Sequence, residues 1–201
     1  SLNAFYCEDF ESIVAPSLPF NISTSTNEDN YFINDLEVSG FYTGTSEDAG
    51  LGGYWTYIDE HTTFAMTNDD ACMPSGGQSS GSNNCDLSFE TLELPEFNFT
   101  EEYNLYLSFD YFHDKNWGGG DAYVEISIDG GVSWNSISGP LDEALNWQNS
   151  YVDLSSFNNL TSVKIRFIWS DNGSWASGFA IDNIVIDQLD DFAYNLSVDV
   201  T

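Results

Sequence analysis

The chain has 201 residues, of which 33 are Asp or Glu and only three are Lys or Arg, so its formal net charge is −30. A nucleic-acid binder needs basic residues to neutralise phosphates, so the charge excludes that class and disfavours anionic membrane surfaces. Apolar residues make up 41 % of the chain and aromatic residues 16 %, enough for the buried core of one domain. The acidity either keeps an exported protein soluble or is partly neutralised by bound cations.

Alternating apolar and polar residues predict β-strands along most of the chain, and no window predicts a convincing amphipathic helix. In chain order the predicted strands are residues 5–13, 61–67, 86–94, 104–112, 122–128, 132–137, 162–169 and 178–187. Asp129-Gly130-Gly131 predicts a hairpin turn. Short strands separated by Gly, Asn and Asp turns predict an all-β fold, a two-sheet antiparallel jelly-roll sandwich.

Within the predicted strands, alternation also predicts which side chains point inward. Leu105, Leu107, Phe109 and Tyr111 share one face, as do Val124, Ile126 and Ile128, and as do Val163, Ile165, Phe167 and Trp169. Lys164 and Arg166 then point outward, where we expect them to pair with acidic side chains. Trp134 and Trp169 lie in predicted strands and are expected in the core.

No apolar run in the sequence is long enough to span a bilayer. Cys72 and Cys85 bracket a stretch rich in Gly, Ser and Asn, and a disulfide closing that loop is one possibility. Cys7 would then be free or paired outside the chain. The sequence starts abruptly and without a signal peptide, so we expect an excised piece of a longer exported protein.

Several short segments occur in a recognisable order. They are Asp9-Phe10-Glu11, Phe64-Ala65-Met66-Thr67-Asn68-Asp69-Asp70, Leu107-Ser108-Phe109-Asp110-Tyr111, Asp121-Ala122-Tyr123-Val124-Glu125-Ile126-Ser127, Asp129-Gly130-Gly131-Val132-Ser133-Trp134 and Gly178-Phe179-Ala180-Ile181-Asp182-Asn183-Ile184. Together they resemble the cleaved-adhesin and choice-of-anchor J modules of bacterial surface proteins, and more distantly the MAM domains of animal receptors. The resemblance implies a concanavalin-like jelly roll over residues 1–187, with residues 188–201 connecting towards a following domain. It also implies an extracellular or cell-surface location, often reached by type IX secretion in Bacteroidetes-type bacteria.

The resemblance further implies a structural calcium site formed by Glu11, Asp69, Asp70 and Asp182, with Asn183 as a less secure ligand. Glu11 and Asp182 lie in apolar strand contexts, where an unpaired carboxylate is costly. Carboxylates that converge without a cation also repel one another. The alternative is that all of these acids are solvated at the surface. A second oxygen-rich stretch, residues 110–121, is a weaker candidate for another ion.

Catalysis is not expected. Asp121, Glu125 and Asp129 lie on one predicted strand, but a four-residue spacing spans about 13 Å along a strand. A retaining glycosidase needs its two carboxyl groups about 5–5.5 Å apart. His61 and His113 are the only histidines, and no Gly-x-Ser-x-Gly nucleophile motif is present.

Tryptophans in predicted loops are candidates for ligand binding. Trp55, Trp117 and Trp175 follow or precede Gly-rich or Asn/Gly segments, where an aromatic face can stack on a sugar ring; alternatively they cover the ends of the core.

The sequence therefore predicts a calcium-stabilised extracellular adhesion or ligand-binding module, with a glycan or protein ligand and neighbouring domains in the same polypeptide. The alternatives are a carbohydrate-binding accessory module of a larger secreted enzyme and a passive structural spacer.

Overall fold

The structure is a computed structural model that describes residues 4–27, 31–33, 36–38, 40–49, 58, 61–68, 89–116, 119–174 and 176–189. In these ranges the chain is almost entirely β-structure. The strands are β1 Tyr6–Glu8, β2 Ser23–Ser25, β3 Tyr31–Ile33, β4 Leu36–Val38, β5 Tyr42–Gly44, β6 Phe64–Asn68, β7 Phe89–Glu93, β8 Leu105–Asp114, β9 Asp121–Ser127, β10 Asn135–Ser138, β11 Ala144–Asp153, β12 Lys164–Ser170 and β13 Gly178–Gln188. A short helix, α1, covers Ser46–Ala49, and a 3-10 turn covers Ser155–Phe157. No helix in the described ranges has the length and apolarity needed to cross a membrane.

The strands form two antiparallel sheets that pack face to face. Sheet A has the order β11-β8-β13-β6-β5, and β1 also pairs with β13; sheet B has the order β10-β9-β12-β7-β2. Strands β3 and β4 form a separate two-stranded sheet. Strand β13 is the last strand in the described part of the chain but lies in the middle of sheet A, where it pairs with β1, β6 and β8. The predicted two-sheet antiparallel sandwich is confirmed.

The core lies between the sheets and is formed by most of the side chains that alternation predicted to share an inward face. At most 9 % exposed are Leu105, Leu107, Phe109 and Tyr111 from β8, Val124 and Ile126 from β9, and Val163, Ile165, Phe167 and Trp169 from β12 or the residue before it. Ile128 is 52 % exposed, so its predicted place with Val124 and Ile126 is wrong, because β9 ends at Ser127. The rings of Phe109 and Phe167 meet edge to face across the sandwich, with centroids 4.9 Å apart. Each fully buried side chain of this size contributes roughly 1.5–3 kcal/mol.

The outer face of sheet B carries paired charges, as predicted. Arg166 Nη2 donates to Glu125 Oε2 at 2.7 Å, and Lys164 Nζ donates to Glu93 Oε1 at 2.7 Å. The Arg166 guanidinium lies 4.2 Å from the Trp134 ring centroid, a cation–π contact. Trp134 is therefore half-buried on the outer face, and the prediction that it lies in the core is wrong. Trp169 is fully buried, as predicted.

Several strands differ from the prediction: β2, β3, β4 and β5 were not predicted, and β10 begins at Asn135 instead of residue 132. For two further differences the reason is identifiable. The first strand is only Tyr6–Glu8, because Phe10 adopts a left-handed φ of 53° and its N–H donates to Glu8 Oε1. This turn ends the strand before Glu11. The ten-residue strand β11, which forms one end of sheet A, was not predicted. Most of its side chains are exposed or half-buried, so its sequence lacks a regular apolar alternation.

A buried histidine in β8 predicts acid sensitivity. His113 has no exposed surface, and neither ring nitrogen makes a hydrogen bond of good geometry in the described part of the chain. The pKa of His113 is lowered to about 4, chiefly by burial and then by Lys115, while the nearby backbone of Leu141 and Asp142 and the Asp121 carboxylate act in the opposite direction.

The unfolded chain, with an ordinary histidine pKa of 6.5, binds the proton more tightly than the folded protein does. Stability is therefore lost as the pH falls from about 6.5 to about 4, by roughly 3 kcal/mol for this one group. We expect the stability of His113→Phe to fall less than that of the wild type as the pH is lowered. The difference in unfolding free energy between the two should therefore change by roughly 3 kcal/mol between about pH 6.5 and about pH 4. Urea denaturation at several pH values measures it, and a constant difference would contradict the assignment.

Candidate metal centre

A β-bulge in the middle of β13 creates a break in sheet A. Gly178 to Ile181 pair with β6, whereas Ile184 to Ile186 pair with β1, so two strands share one edge of β13. Between them the pairing with β8 shifts register after Asp182, and Asn183 has a left-handed φ of 49°. Bulges of this kind redirect side chains. Here the bulge leaves the side chain of Asp182 in the region between β6 and β1.

Asp182 is fully buried, and other acidic side chains surround it. Its exposed fraction is 0 %, and Oδ1 accepts the backbone N–H of Asn183 at 2.7 Å. Oδ2 lies 2.9 Å from His61 Nδ1, but the approach does not have hydrogen-bond geometry. A buried carboxylate oxygen without a hydrogen-bond donor is costly. The oxygen therefore needs a proton, a cation or a reoriented donor.

The pKa shifts of Asp182 and His61 also indicate that this buried carboxylate lacks a compensating charge. Burial, together with the charges of Glu11, Asp110 and Asp9, raises the pKa of Asp182 to about 7, while the Asn183 N–H acts in the opposite direction. Burial lowers the pKa of His61, and the acids Asp110 and Glu11 partly offset this. Four carboxylates thus act on one small region with only a partly buried imidazole beside them. A bound cation would favour ionised Asp182 and relieve this repulsion.

The side chains around Asp182 come from four segments of the chain. The turn after β1 brings Glu11, whose Oε1 accepts the Thr63 N–H at 2.8 Å. His61, two residues before Thr63, packs against the Trp147 ring of β11 with centroids 4.2 Å apart. These contacts connect the N-terminal turn, the segment before β6 and the edge strand β11 to the bulge.

Asp110 of β8 is held by two amides. Asn149 Nδ2 donates to Asp110 Oδ1 and Asn183 Nδ2 donates to Asp110 Oδ2, each at 2.9 Å. The carboxylate is thus fixed between β11 and β13, beside the bulge. An amide that donates to a carboxylate keeps its own carbonyl oxygen as a possible metal ligand.

The structure brings together three of the predicted calcium ligands: Glu11, Asp182 and Asn183. Asp69 and Asp70 lie outside the described residues, so their participation stays a prediction. Asn68, the residue before them, pairs with Gly178, about 13 Å along β13 from Asp182. The sequence analysis did not predict His61, Asp110 or Asp9 as neighbours of Asp182. The sequence held a signal for Asp110 alone, because alternation in its strand places its side chain on the outer face.

Two observations bear on whether a metal fits. In the described ranges, no group of three or more His, Cys, Asp and Glu side chains already has the geometry of a metal site. The buried Oδ2 of Asp182 and the surrounding carboxylates nevertheless supply the oxygen chemistry that calcium prefers. Glu11 and Asn183 are exposed, so both can adjust to an ion.

The other predicted site residues cannot be placed. Trp55, Trp117 and Trp175, the candidate ligand-binding residues, lie outside the described residues, as do Cys72 and Cys85 of the predicted disulfide. Cys7 is a free and exposed cysteine on β1. Asp121 at the start of β9 accepts hydrogen bonds from Lys115 Nζ at 3.1 Å and from Asn172 Nδ2 at 3.0 Å. These bonds connect the two loops at that end of the sandwich.

Comparison with known proteins identifies the fold. No family model matches the sequence, and no curated protein matches it. Among solved structures, the K1 cleaved adhesin domain of Lys-gingipain from Porphyromonas gingivalis is similar, with 14 % identity and a TM-score of 0.53 over 92 % of this chain and 98 % of that one. The K3 cleaved adhesin domain of the same protein has 12 % identity and a TM-score of 0.52 over 92 % and 100 %. This chain has the fold of those domains.

A carbohydrate-binding module shares the architecture. The xylan-binding CBM22-1 domain from Paenibacillus barcinonensis has 8 % identity and a TM-score of 0.50, over 92 % of this chain and 94 % of that one. These structural matches confirm the predicted cleaved-adhesin-like sandwich. At such identities they establish the fold alone.

The left-handed conformation of Asn183 gives a test of the bulge. We expect Asn183→Val to be less stable than Asn183→Gly by about 1–2 kcal/mol, because a β-branched residue is disfavoured at positive φ whereas glycine is not. Both variants lose the amide that holds Asp110, so the comparison isolates the backbone. Chemical denaturation measures the difference, and equal stabilities would show that the bulge is not built as described.

Proposed function

We propose that this protein is an extracellular ligand-binding module stabilised by calcium bound at the bulge of β13. The observation that carries the proposal is the fully buried Asp182 carboxylate, with one oxygen lacking a hydrogen-bond donor and with Glu11, Asp110 and Asp9 raising its pKa. Calcium binds carboxylate, amide and backbone oxygens, and it would turn this repulsion into attraction. Asp182, Glu11 and Asn183 would hold the ion, with Asp69 and Asp70 as further ligands.

The role of calcium in this proposal is structural. Strand β1 is only three residues long and pairs with one stretch of β13, so few contacts hold it. An ion shared by Glu11, just after β1, and Asp182 of β13 would tie the start of the sandwich to its central strand. The module would thereby resist unfolding outside the cell. Secretion to the cell surface belongs to the same proposal.

The ligand in this proposal is a glycan or another protein, and the module does not catalyse. Adhesin domains and a xylan-binding domain share its fold, which supports binding as the activity. A carbohydrate-binding accessory module of a larger enzyme is the second candidate, with Trp117, Trp175 and Trp55 as stacking residues. Its support is the strongly negative charge, which disfavours acidic partners and leaves neutral glycans acceptable.

Removal of calcium tests the proposal directly. At calcium concentrations about 100 times the Kd, the ion would stabilise the fold by about 2.7 kcal/mol, which raises the melting temperature by about 5–10 °C for a domain of this size. We expect EDTA to remove this increase from the wild type and excess calcium to restore it. Differential scanning calorimetry measures the shift.

Two variants make this test specific. Asp182→Asn removes the buried charge without changing the shape of the side chain, so we expect its melting temperature to be the same with EDTA and with calcium. Asp187→Asn, five residues further along β13, removes a half-buried carboxylate away from the bulge and should respond to calcium as the wild type does. If the wild type melts at one temperature in both conditions, the proposed calcium site is wrong.

A further inference from the structure

The outer face of sheet A beside the bulge carries a group of exposed and half-buried side chains, of which the calcium proposal uses only Asp110. In β8, Leu105, Leu107 and Phe109 are fully buried, so the alternate residues Tyr106, Ser108 and Asp110 point away from the core. Strand pairing sets their partners in β11: Asp153 lies opposite Tyr106, Tyr151 opposite Ser108, and Asn149 opposite Asp110. Residues on paired positions share a face. We call Tyr106, Ser108, Asp110, Asn149, Tyr151 and Asp153 the tyrosine patch.

The two tyrosines form a stacked pair at the centre of one half of the tyrosine patch. Their ring centroids are 5.0 Å apart, and the ring planes differ by only 18°. Tyr151 is 49 % exposed although it lies in a strand. The Tyr151 hydroxyl, like that of any tyrosine, is protonated at neutral pH and can donate a hydrogen bond. The pair offers a rigid aromatic surface with polar ends.

The other half of the tyrosine patch is an ordered polar surface. Asp110 accepts hydrogen bonds from Asn149 and Asn183, which holds both amides in fixed orientations. Both asparagines are exposed, and an amide group has two N–H donors and a carbonyl acceptor. Aromatic rings beside fixed amide and carboxylate groups are the combination that orients small polar ligands in binding sites.

Charge decides which class of ligand this surface suits. All three basic residues of the chain pair with acids elsewhere: Lys164 and Arg166 on the outer face of sheet B, and Lys115 with Asp121. The tyrosine patch therefore contains carboxylates and no basic residue. Anionic ligands and a second copy of this chain, whose net charge is −30, are repelled. A protein hot spot would need a water-excluding apolar centre, whereas here polar groups alternate with the two rings.

We infer that the tyrosine patch is a binding face for neutral glycans, with Tyr106 and Tyr151 stacking on sugar rings and the Asn149–Asp110–Asn183 network binding hydroxyl groups. The inference rests on the ligand-binding part of the proposed function and assigns it to a sheet face instead of the loops that carry Trp117 and Trp175. Asp110 and Asn183 also adjoin the bulge, so calcium and glycan would order the same residues.

Affinity electrophoresis in native gels tests the inference, because a protein of this charge migrates fast and its retardation is easily measured. The probes are hydroxyethylcellulose, xylan and galactomannan as neutral polysaccharides, and polygalacturonate as an anionic one, all with calcium present. We expect at least one neutral polysaccharide to retard the wild type and polygalacturonate not to. We expect Tyr151→Ala and Tyr106→Ala to weaken binding about tenfold, equivalent to about 1.4 kcal/mol.

Controls separate binding from folding and from the alternative site. Phe20→Ala removes an exposed aromatic ring in the loop before β2 and should bind as the wild type does. Tyr151→Phe keeps the ring and should retain most of the affinity, which also guards against a folding defect in the alanine variants. Circular dichroism melting confirms that each variant is folded.

Two results would overturn the inference. One is that none of the neutral polysaccharides retards the wild type. The other is that binding survives both tyrosine variants but is abolished by the Trp117→Ala/Trp175→Ala double variant; that result would leave a glycan-binding module intact and move its site to the loops. The calcium response of the melting temperature does not depend on either result, so the proposed calcium site stands or fails separately.

Discussion

The arrangement of sheet A depends on one buried carboxylate. It belongs to Asp182, in the middle of β13, the strand that pairs with three others. Asp182 reaches this position because β13 bulges where its neighbour changes from β6 to β1. Burial of a charge at such a point must be offset by a proton, by the nearby His61 or by a cation. The turn at Phe10 and the contact between Thr63 and Glu11 both position groups next to this carboxylate. Backbone features that lie far apart in the sequence thus place charged groups around the same buried carboxylate.

The acidic side chains on the two outer faces of the sandwich have different partners. Sheet B uses two of the three basic residues, Lys164 and Arg166, in ion pairs next to Trp134. Sheet A has no cation of its own, and its acids are held by asparagine amides or lie beside His61. Exposed ion pairs contribute little stability, whereas acids that converge without a partner repel one another. This asymmetry explains why both proposals fall on sheet A.

The sequence determined the fold class because regular alternation marks a strand that is buried on one face. Strands β8, β9 and β12 have this pattern, and their inward side chains were predicted correctly except for Ile128, which lies just beyond the end of β9. Strand β11 was missed because it lies at the end of sheet A and buries few side chains. The site was predicted only in part. Glu11, Asp182 and Asn183 lie in the segments that resemble adhesin modules. His61 and Asp110 come close to Asp182 because of the register shift in β13, and no local sequence pattern reveals that shift. The calcium ion, the disulfide between Cys72 and Cys85 and the role of the loop tryptophans stay predictions.

The central place of β13 also governs how the chain can fold. Tyr6 pairs with Ile186, and β8 and β6 pair with other parts of the same strand. Without residues 178–188, sheet A separates into the pairs β8–β11 and β5–β6, and β1 has no partner in the sheet. Contacts between such distant residues make folding slow. Sheet A therefore cannot be completed until residues 178–188 have been synthesised. Until then Tyr6 has no place in the sheet, because its partner Ile186 lies 180 residues further along the chain.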